Sequence, residues 1–211
     1  METRSVSAPT SREADIGAVS VQVRPATPDR WGDVVEAFGK RGEDASWCWC
    51  QRFLHNSGGP PWAARDNRSA LHREITEAIV VPGLIAYVDD HPAGWTRVGP
   101  RSALPGVSGN RALAKLLRND DPGVWWVTCF AVDQRYRRRG VGSALLEAAA
   151  AFAQHHGARA IEGHPVDVEA LTAARVSGSA VFTGTMAMFA AAGFVEVGRT
   201  FPSRPVMRRP L

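Results

Sequence analysis

Arg137-Arg138-Arg139-Gly140-Val141-Gly142 stands between an apolar run and an Ala/Leu-rich stretch, and its residue types suit the binding of phosphate. A strand that stops at two closely spaced glycines and turns straight into a helix leaves a row of backbone N–H groups without partners. Those groups lie at the positive end of the helix dipole, where anions are stabilised. The arginines add fork-shaped donors for phosphate oxygens. The turn is expected to clamp the diphosphate of a cofactor.

Other chemistry-bearing groups point less sharply. Cys48-x-Cys50 with His55 offers three metal ligands, with Trp47 and Trp49 beside the cysteines, whereas structural zinc takes four. A buried aromatic and cysteine cluster is expected there, and no metal. Cys129 has no histidine near it in the sequence and reads as a small buried hydrophobe. His155-His156 close a helix, where imidazolium complements the dipole. Arg208-Arg209 reads as a solvated terminus.

The elements that position the turn follow from periodicity. Val19–Val23 alternates as a half-buried strand does, and Trp31, Val34, Val35 and Phe38 fall at helical spacing before Gly39–Gly42. A Gly-Gly-Pro-Pro loop at 58–61 leads into a helix over 62–80, where Leu71, Ile75 and Ile79 recur every four residues. Leu84–Val88 and Ala93–Val98 flank Asp89-Asp90-His91-Pro92, a hairpin signal. A short helix is expected over Arg111–Arg118 and a turn at Asp120–Gly123.

Val124–Val132 is a continuous apolar run, the mark of a central strand buried on both faces, with Trp125 and Trp126 on opposite faces. The glycine turn comes next, then a helix over Ser143–His156 and a strand over Arg159–His164. A helix over Val181–Ala192 ends at Gly193. Phe194–Thr200 and Pro205–Arg209 close the chain as a hairpin. The order β-α-α-β-β-β-α-β-α-β-β predicts an α/β fold, a mixed sheet with helices on its faces. Residues 1–19 are expected to form a flexible tail and 20–211 one domain.

Composition sets bounds. A hydrophobic content of 45% over 211 residues suits a packed globule. The balance of 25 Lys+Arg against 21 Asp+Glu gives a formal charge of +4. That suits a phosphate-bearing ligand but is too scattered to argue for nucleic acid. Three cysteines and a polar start suggest a reducing compartment, hence a cytoplasmic protein. No run approaches the roughly 20 apolar residues of a membrane span, so no membrane partner is expected.

The segment VWWVTCFAVDQRYRRRGVGSALLEAAAAF, residues 124–152, resembles the GNAT acetyltransferase superfamily. That family's signature is Gln or Arg, two residues, Gly, one residue, then Gly or Ala; here Arg137, Gly140 and Gly142 fill it. Met188-Phe189-Ala190-Ala191-Ala192-Gly193-Phe194 is similar to the family's late helix. Element order agrees from about Val21 to the C terminus. The resemblance implies acetyl-CoA as acyl donor. The backbone of Phe130, Ala131 and Val132 would hydrogen-bond the pantetheine arm like an added strand. The N–H groups of Arg138, Arg139, Gly140, Val141, Gly142 and Ser143 would hold the pyrophosphate, with the side chain of Arg135 or Arg137 assisting. The thioester would lie where the strands at 124–132 and 159–164 splay apart. The acceptor would be a primary amine on a small molecule or peptide. Homodimers are common among proteins this chain resembles.

Amine acetylation needs a proton acceptor, a donor to the developing oxyanion and an acid for the thiolate. The N–H of Phe130 is the expected oxyanion donor. Glu162, mid-strand beside the splay, is the expected base, because an apolar setting can raise a carboxylate into a useful range. His164 and Asp167 follow it. The alternative for Glu162 is a structural carboxylate paired with an arginine such as Arg159 or Arg175. Phe189 stands where many family members carry an acidic Tyr, which leaves Thr185, Thr183 or water. Ser177-Gly178-Ser179-Ala180 stands where the family often has Asn. A non-catalytic acyl-CoA sensor on the same fold is therefore the second reading, and nucleic-acid binding through the arginines the third.

Overall fold

The alternation near the N-terminal end forms β1 (Val21–Pro25), antiparallel to β2 (Gly83–Val88). β2 reverses into β3 (His91–Pro100) through Asp89 and Asp90, whose φ angles are 50° and 62°. Positive φ at both positions is the geometry of a two-residue hairpin turn whose twist matches its strands. β3 runs antiparallel to β4 (Val124–Val132), and β4 runs parallel to β5 (Ala160–Gly163). The closing hairpin of β6 (Val195–Phe201) and β7 (Arg204–Pro210) joins β5 through β7. The sheet is mixed, as expected, in the order β1-β2-β3-β4-β5-β7-β6. The computed structural model describes residues 20–55, 66–117, 121–173 and 178–211. The expected tail over 1–19, the loop at 58–61, Arg175 and Ser177 lie outside them.

Helices cover both faces. They are α1 (Trp31–Ala37), α2 (Asn67–Glu77), α3 (Pro105–Ser108), α4 (Arg111–Ala114), α5 (Val141–His155), α6 (Val168–Ala173) and α7 (Met186–Ala191). On one face Leu145, Leu146, Ala149 and Ala153 of α5 bury against Leu84, Trp125, Ile161 and Met207. On the other, Val34, Leu71 and Ile75 pack with Trp49 on Ile85, Tyr87 and Trp95. Trp126 faces away from Trp125, into a third cluster with Leu104, Val107, Leu113 and Val206. Among the described residues, no helix is long and apolar enough to cross a membrane.

Three local expectations change. α2 starts after Asp66, which accepts from the Ser69 N–H (2.9 Å), and ends at Glu77. Ile79 is therefore fully exposed rather than core; Pro82 stands just beyond it and discourages further helix. The helix expected over 181–192 breaks in two, because Gly184 takes φ 84° and Thr185 re-caps the chain ahead of Met188. α6 carries no periodicity strong enough to announce it.

The cysteines also differ from expectation. Cys50 and Cys129 form a disulfide, so Cys129 is a cross-linked residue and not a free small hydrophobe. The aromatic cluster does form around it: Trp95 Nε1 donates to Cys50 Sγ (3.1 Å), and the Trp49 and Phe38 rings meet at a tilt with centres 4.4 Å apart. The odd count conceals this one link and one thiol, Cys48, pushed up by burial. A disulfide is at odds with the reducing compartment expected from the count. It closes a loop of 79 residues and pins the turn at Trp49 to the central strand. Loop-closure entropy assigns it roughly 4 kcal/mol. Urea unfolding with and without a thiol reductant is expected to differ by about that amount; coincident curves would remove the cross-link from the stability of the fold.

Candidate cofactor and acceptor site

The loop between β4 and α5 is shaped by two caps. Asp133 accepts from the Arg135 N–H (2.8 Å) and pairs with its guanidinium (3.1 Å), which ties Arg135 back to the loop. Arg137, Arg138 and Arg139 are exposed, and among the described residues the side chains of Arg137 and Arg138 make no hydrogen bond or ion pair. Arg138 and Gly140 have φ 61° and 78°, which bends the backbone into a concave run of N–H groups. The first intrahelical bond of α5 runs from Ala144 N to Gly140 O, 2.9 Å. Val141, Gly142 and Ser143 therefore have no acceptor within the helix. A Cβ at Gly140 would meet nothing within 4 Å, so the mouth opens outward. At Gly142 a Cβ would lie 3.2 Å from Met188 Sδ, and this glycine lets α7 approach α5.

The second feature is a gap in the sheet. β4 pairs with β5 only over Val124–Val127, against Ala160–Gly163. Beyond it, Val166 bridges to Thr185 instead. Phe130, Ala131 and Val132 keep Thr96, Trp95 and Gly94 of β3 on one side and have no strand on the other. The β3 register slips between Arg97 and Val98, whose partners are Cys129 and Val127, so Thr128 is a bulge residue. Its Oγ1 is buried and has no hydrogen-bond partner among the described residues, an uncommon state. Nothing in the sequence pattern marks it. Phe130 and Phe189 meet edge to face at 6.3 Å and form the apolar wall of the gap. Glu162 sits one pair before the gap opens, opposite Trp126. Its Oε2 accepts from Arg101 (2.6 Å) and its Oε1 from Arg208 (2.8 Å). A cleft lined by Leu116, Asp121, Val197 and Arg208 leads to it.

The family model described as acetyltransferase (GNAT) family matches residues 45–175, more than half of the chain. The chain belongs to the GNAT acetyltransferase family. Members of this family are acyl-CoA-dependent N-acetyltransferases. The GNAT domain of PAT from S. lividans superposes with a TM-score of 0.53 at 19% identity, covering 90% of each chain. A GCN5-related N-acetyltransferase from Kribbella flavida gives 0.51 at 20% identity, over 90% of this chain and 98% of that one. At such identities the likeness shows the fold alone. No curated protein matches the chain.

Within this GNAT fold the remaining proton-transfer candidates are already engaged. Asp167 pairs with Arg199 (2.8 Å) and accepts from the Ala170 N–H, and the Arg199 hydrogen bond holds its carboxyl below the usual range. Thr185 Oγ1 caps α7 and Thr183 Oγ1 accepts from Arg204 (3.0 Å). Phe189 is fully buried and offers no acid. Arg208 is not the solvated residue expected, because β7 alternation turns it with Val206 toward Glu162. Arg209 likewise binds Glu147 (2.7 Å). Arg101 and Arg204 carry no motif in the sequence; Arg101 opens the turn after β3 and Arg204 opens β7.

His164 sits just past β5. Its Nε2 lies 2.8 Å from Thr200 Oγ1, and Arg204 Nη2 lies 3.3 Å from its Nδ1. A guanidinium only donates, so Nδ1 accepts and Nε2 carries the proton. Burial and then the charge of Arg204 hold its pKa down to about 4, from 6.5. The unfolded chain therefore takes up a proton near pH 6.5 that the folded chain refuses until about pH 4. Stability is intact above the upper value and falls as pH drops toward the lower one. Unfolding free energy is expected to fall by up to about 3 kcal/mol across that window from this group. His164→Gln should flatten that slope in denaturant titrations at a series of pH values. An unchanged slope would contradict the neutral, buried imidazole.

Proposed function

We propose that this chain moves an acetyl group from acetyl-CoA to a primary amine by direct attack in a ternary complex. The observation that carries the reading is the bare edge of β4 at Phe130–Val132 running toward the open mouth of α5. The residues present fit the cofactor: a strand edge for an amide-bearing arm, N–H donors for a diphosphate, and exposed guanidinium groups for its charge. Bound there, acetyl-CoA supplies the acetyl group as an activated thioester.

The chain's own part is then positional and electrostatic. Phe130, Ala131 and Val132 hold the arm by their backbone. Arg138, Arg139, Gly140, Val141, Gly142 and Ser143 donate N–H groups to the diphosphate, with Arg137 adding charge. The Phe130 N–H donates to the carbonyl oxygen as negative charge grows on it. Phe130 and Phe189 exclude water from the gap. Glu162 takes the amine proton after Arg208, its half-exposed partner, releases Oε1. Solvent water supplies the proton that no side-chain hydroxyl delivers at position 189. One observation favours a second reading, an acyl-CoA sensor without turnover: each titratable group near the gap is already hydrogen-bonded, and Phe189 is inert. Release of free CoA in the presence of an amine panel separates the two.

Gly140→Asp puts a carboxylate where the diphosphate charge falls, in space that is open. The left-handed φ of 78° limits the folding cost to about 1 kcal/mol. Calorimetric titration should show acetyl-CoA affinity down by about 100-fold or more; unchanged affinity would sink the clamp. Glu162→Gln is expected to cost about 3 kcal/mol of stability, since it strips the buried Arg101 of its counter-charge. As base, Glu162 also carries the proton transfer, and the variant is expected to lose about 100-fold or more in kcat. A variant that keeps wild-type kcat leaves Glu162 with the ion pair alone.

A further inference from the structure

Among the described residues, two arginines on the face opposite α5 form no ion pair with a carboxylate. Arg204, the first residue of β7, is half-buried and donates to Thr183 Oγ1 (3.0 Å) and to His164 Nδ1 (3.3 Å), both neutral. Arg52 holds its guanidinium 5.3 Å from the centre of the Phe182 ring, the residue before Thr183. The neighbouring arginines are matched: Arg97 by Glu74 (2.7 Å), Arg101 and Arg208 by Glu162, Arg199 by Asp167. Among the described residues neither Arg52 nor Arg204 enters an ion pair. Drawing one cation out of water beside another, without a counter-charge, is unfavourable. Burial and the charge of Arg52 bring the Arg204 guanidinium down to about 10, so it stays charged at neutral pH.

We propose that the acceptor amine carries a carboxylate of its own, bound by Arg204 with Arg52 alongside. The proposal rests on the transferase reading above and names its substrate class. A guanidinium has five N–H donors; with two given to Thr183 and His164, three remain for a planar, two-oxygen anion. The distance to the reaction suits a small molecule. Gly184, next to Thr183, packs against Phe130, where a Cβ would lie 3.1 Å from Phe130 Cε2. The clamp is thus one hydrogen bond and one residue from the wall of the gap. A diamine or polyamine would bring a second cation against Arg204, and like-charge contact selects against it.

The test is a matched acceptor series read by CoA release: L-amino acids against their α-carboxamides, β-alanine and 4-aminobutyrate against ethylenediamine and putrescine, and phosphoethanolamine. Carboxylate acceptors should exceed the amides and diamines in kcat/KM by about tenfold or more. Arg204→Gln should raise KM for the carboxylate acceptor by about 30- to 100-fold, the loss of a charged hydrogen bond. KM for acetyl-CoA and the melting temperature should hardly move, and Arg204→Lys should recover part of the loss. Equal or faster turnover of amides or diamines overturns the proposal, as does a preference for phosphoethanolamine over the carboxylates. If no amine releases CoA, the transferase reading fails instead. Calorimetry on CoA-saturated protein then decides the clamp. Tighter binding of N-acetyl-amino acids than of their amides, lost in Arg204→Gln, upholds it; equal binding overturns it.

Discussion

Gly163 is the last residue at which β5 holds β4, and the space its missing Cβ leaves is taken by a ring. A Cβ there would lie 2.5 Å from Phe189 Cε1 and 3.1 Å from a Val127 methyl carbon. Only glycine lets α7 press Phe189 so close to the sheet, and once the ring is there the two strands cannot re-pair beyond it. The gap, the bare edge of Phe130–Val132 and the turn of the chain from Gly163 toward Val166 all depend on this contact. Gly184 reinforces it from the other side, since a Cβ there would strike Met188, Phe189 and Phe130. The apolar wedge explains why Phe stands at 189: the site uses that position for packing.

The two faces of the sheet have divided labour. α5 covers one with aliphatic residues and turns its N-terminal end to the strand edge, where partial positive charge and exposed arginines face outward. The other face is unusually rich in arginine for a buried surface. Arg97, Arg101 and Arg208 are each held by a carboxylate, and the Arg101–Glu162 pair is almost wholly buried. Such a pair adds little net stability when formed but is strongly destabilising when one partner is lost. It therefore fixes the arrangement more than it strengthens the fold. Arg204 and Arg52 enter no ion pair among the described residues, and Arg204 lies beside Thr183, next to the Gly184 that packs on Phe130.

β4 must stay still while it carries the open edge. Three restraints hold it: pairing with β3 along its length, the hydrogen bond from Thr96 Oγ1 to Cys129 O (2.8 Å), and the disulfide from Cys129 to Cys50. The bulge at Thr128 interrupts the pairing between these restraints, so it changes direction locally without loosening the strand.

Local information in the chain determined the elements and their order. Period-two and helical spacing marked β1, α1, the hairpin and the long strand, and the Arg-x-x-Gly-x-Gly turn marked the start of α5, because those features depend on residues adjacent in sequence. The alternation of Trp125 and Trp126 was legible for the same reason. The partners of Glu162 were not, since Arg101 and Arg208 lie 61 and 46 residues away and meet it only when β5 is flanked by β7 and covered by the turn after β3. The disulfide, the orphaned Thr128 hydroxyl and the unmatched Arg204 likewise exist only between distant segments. Periodicity reports which face a residue takes; what waits on that face is set by the packing of the sheet. That is why the glycine turn and its helix could be read from the sequence, while the charge around Glu162 and Arg204 was decided by tertiary structure.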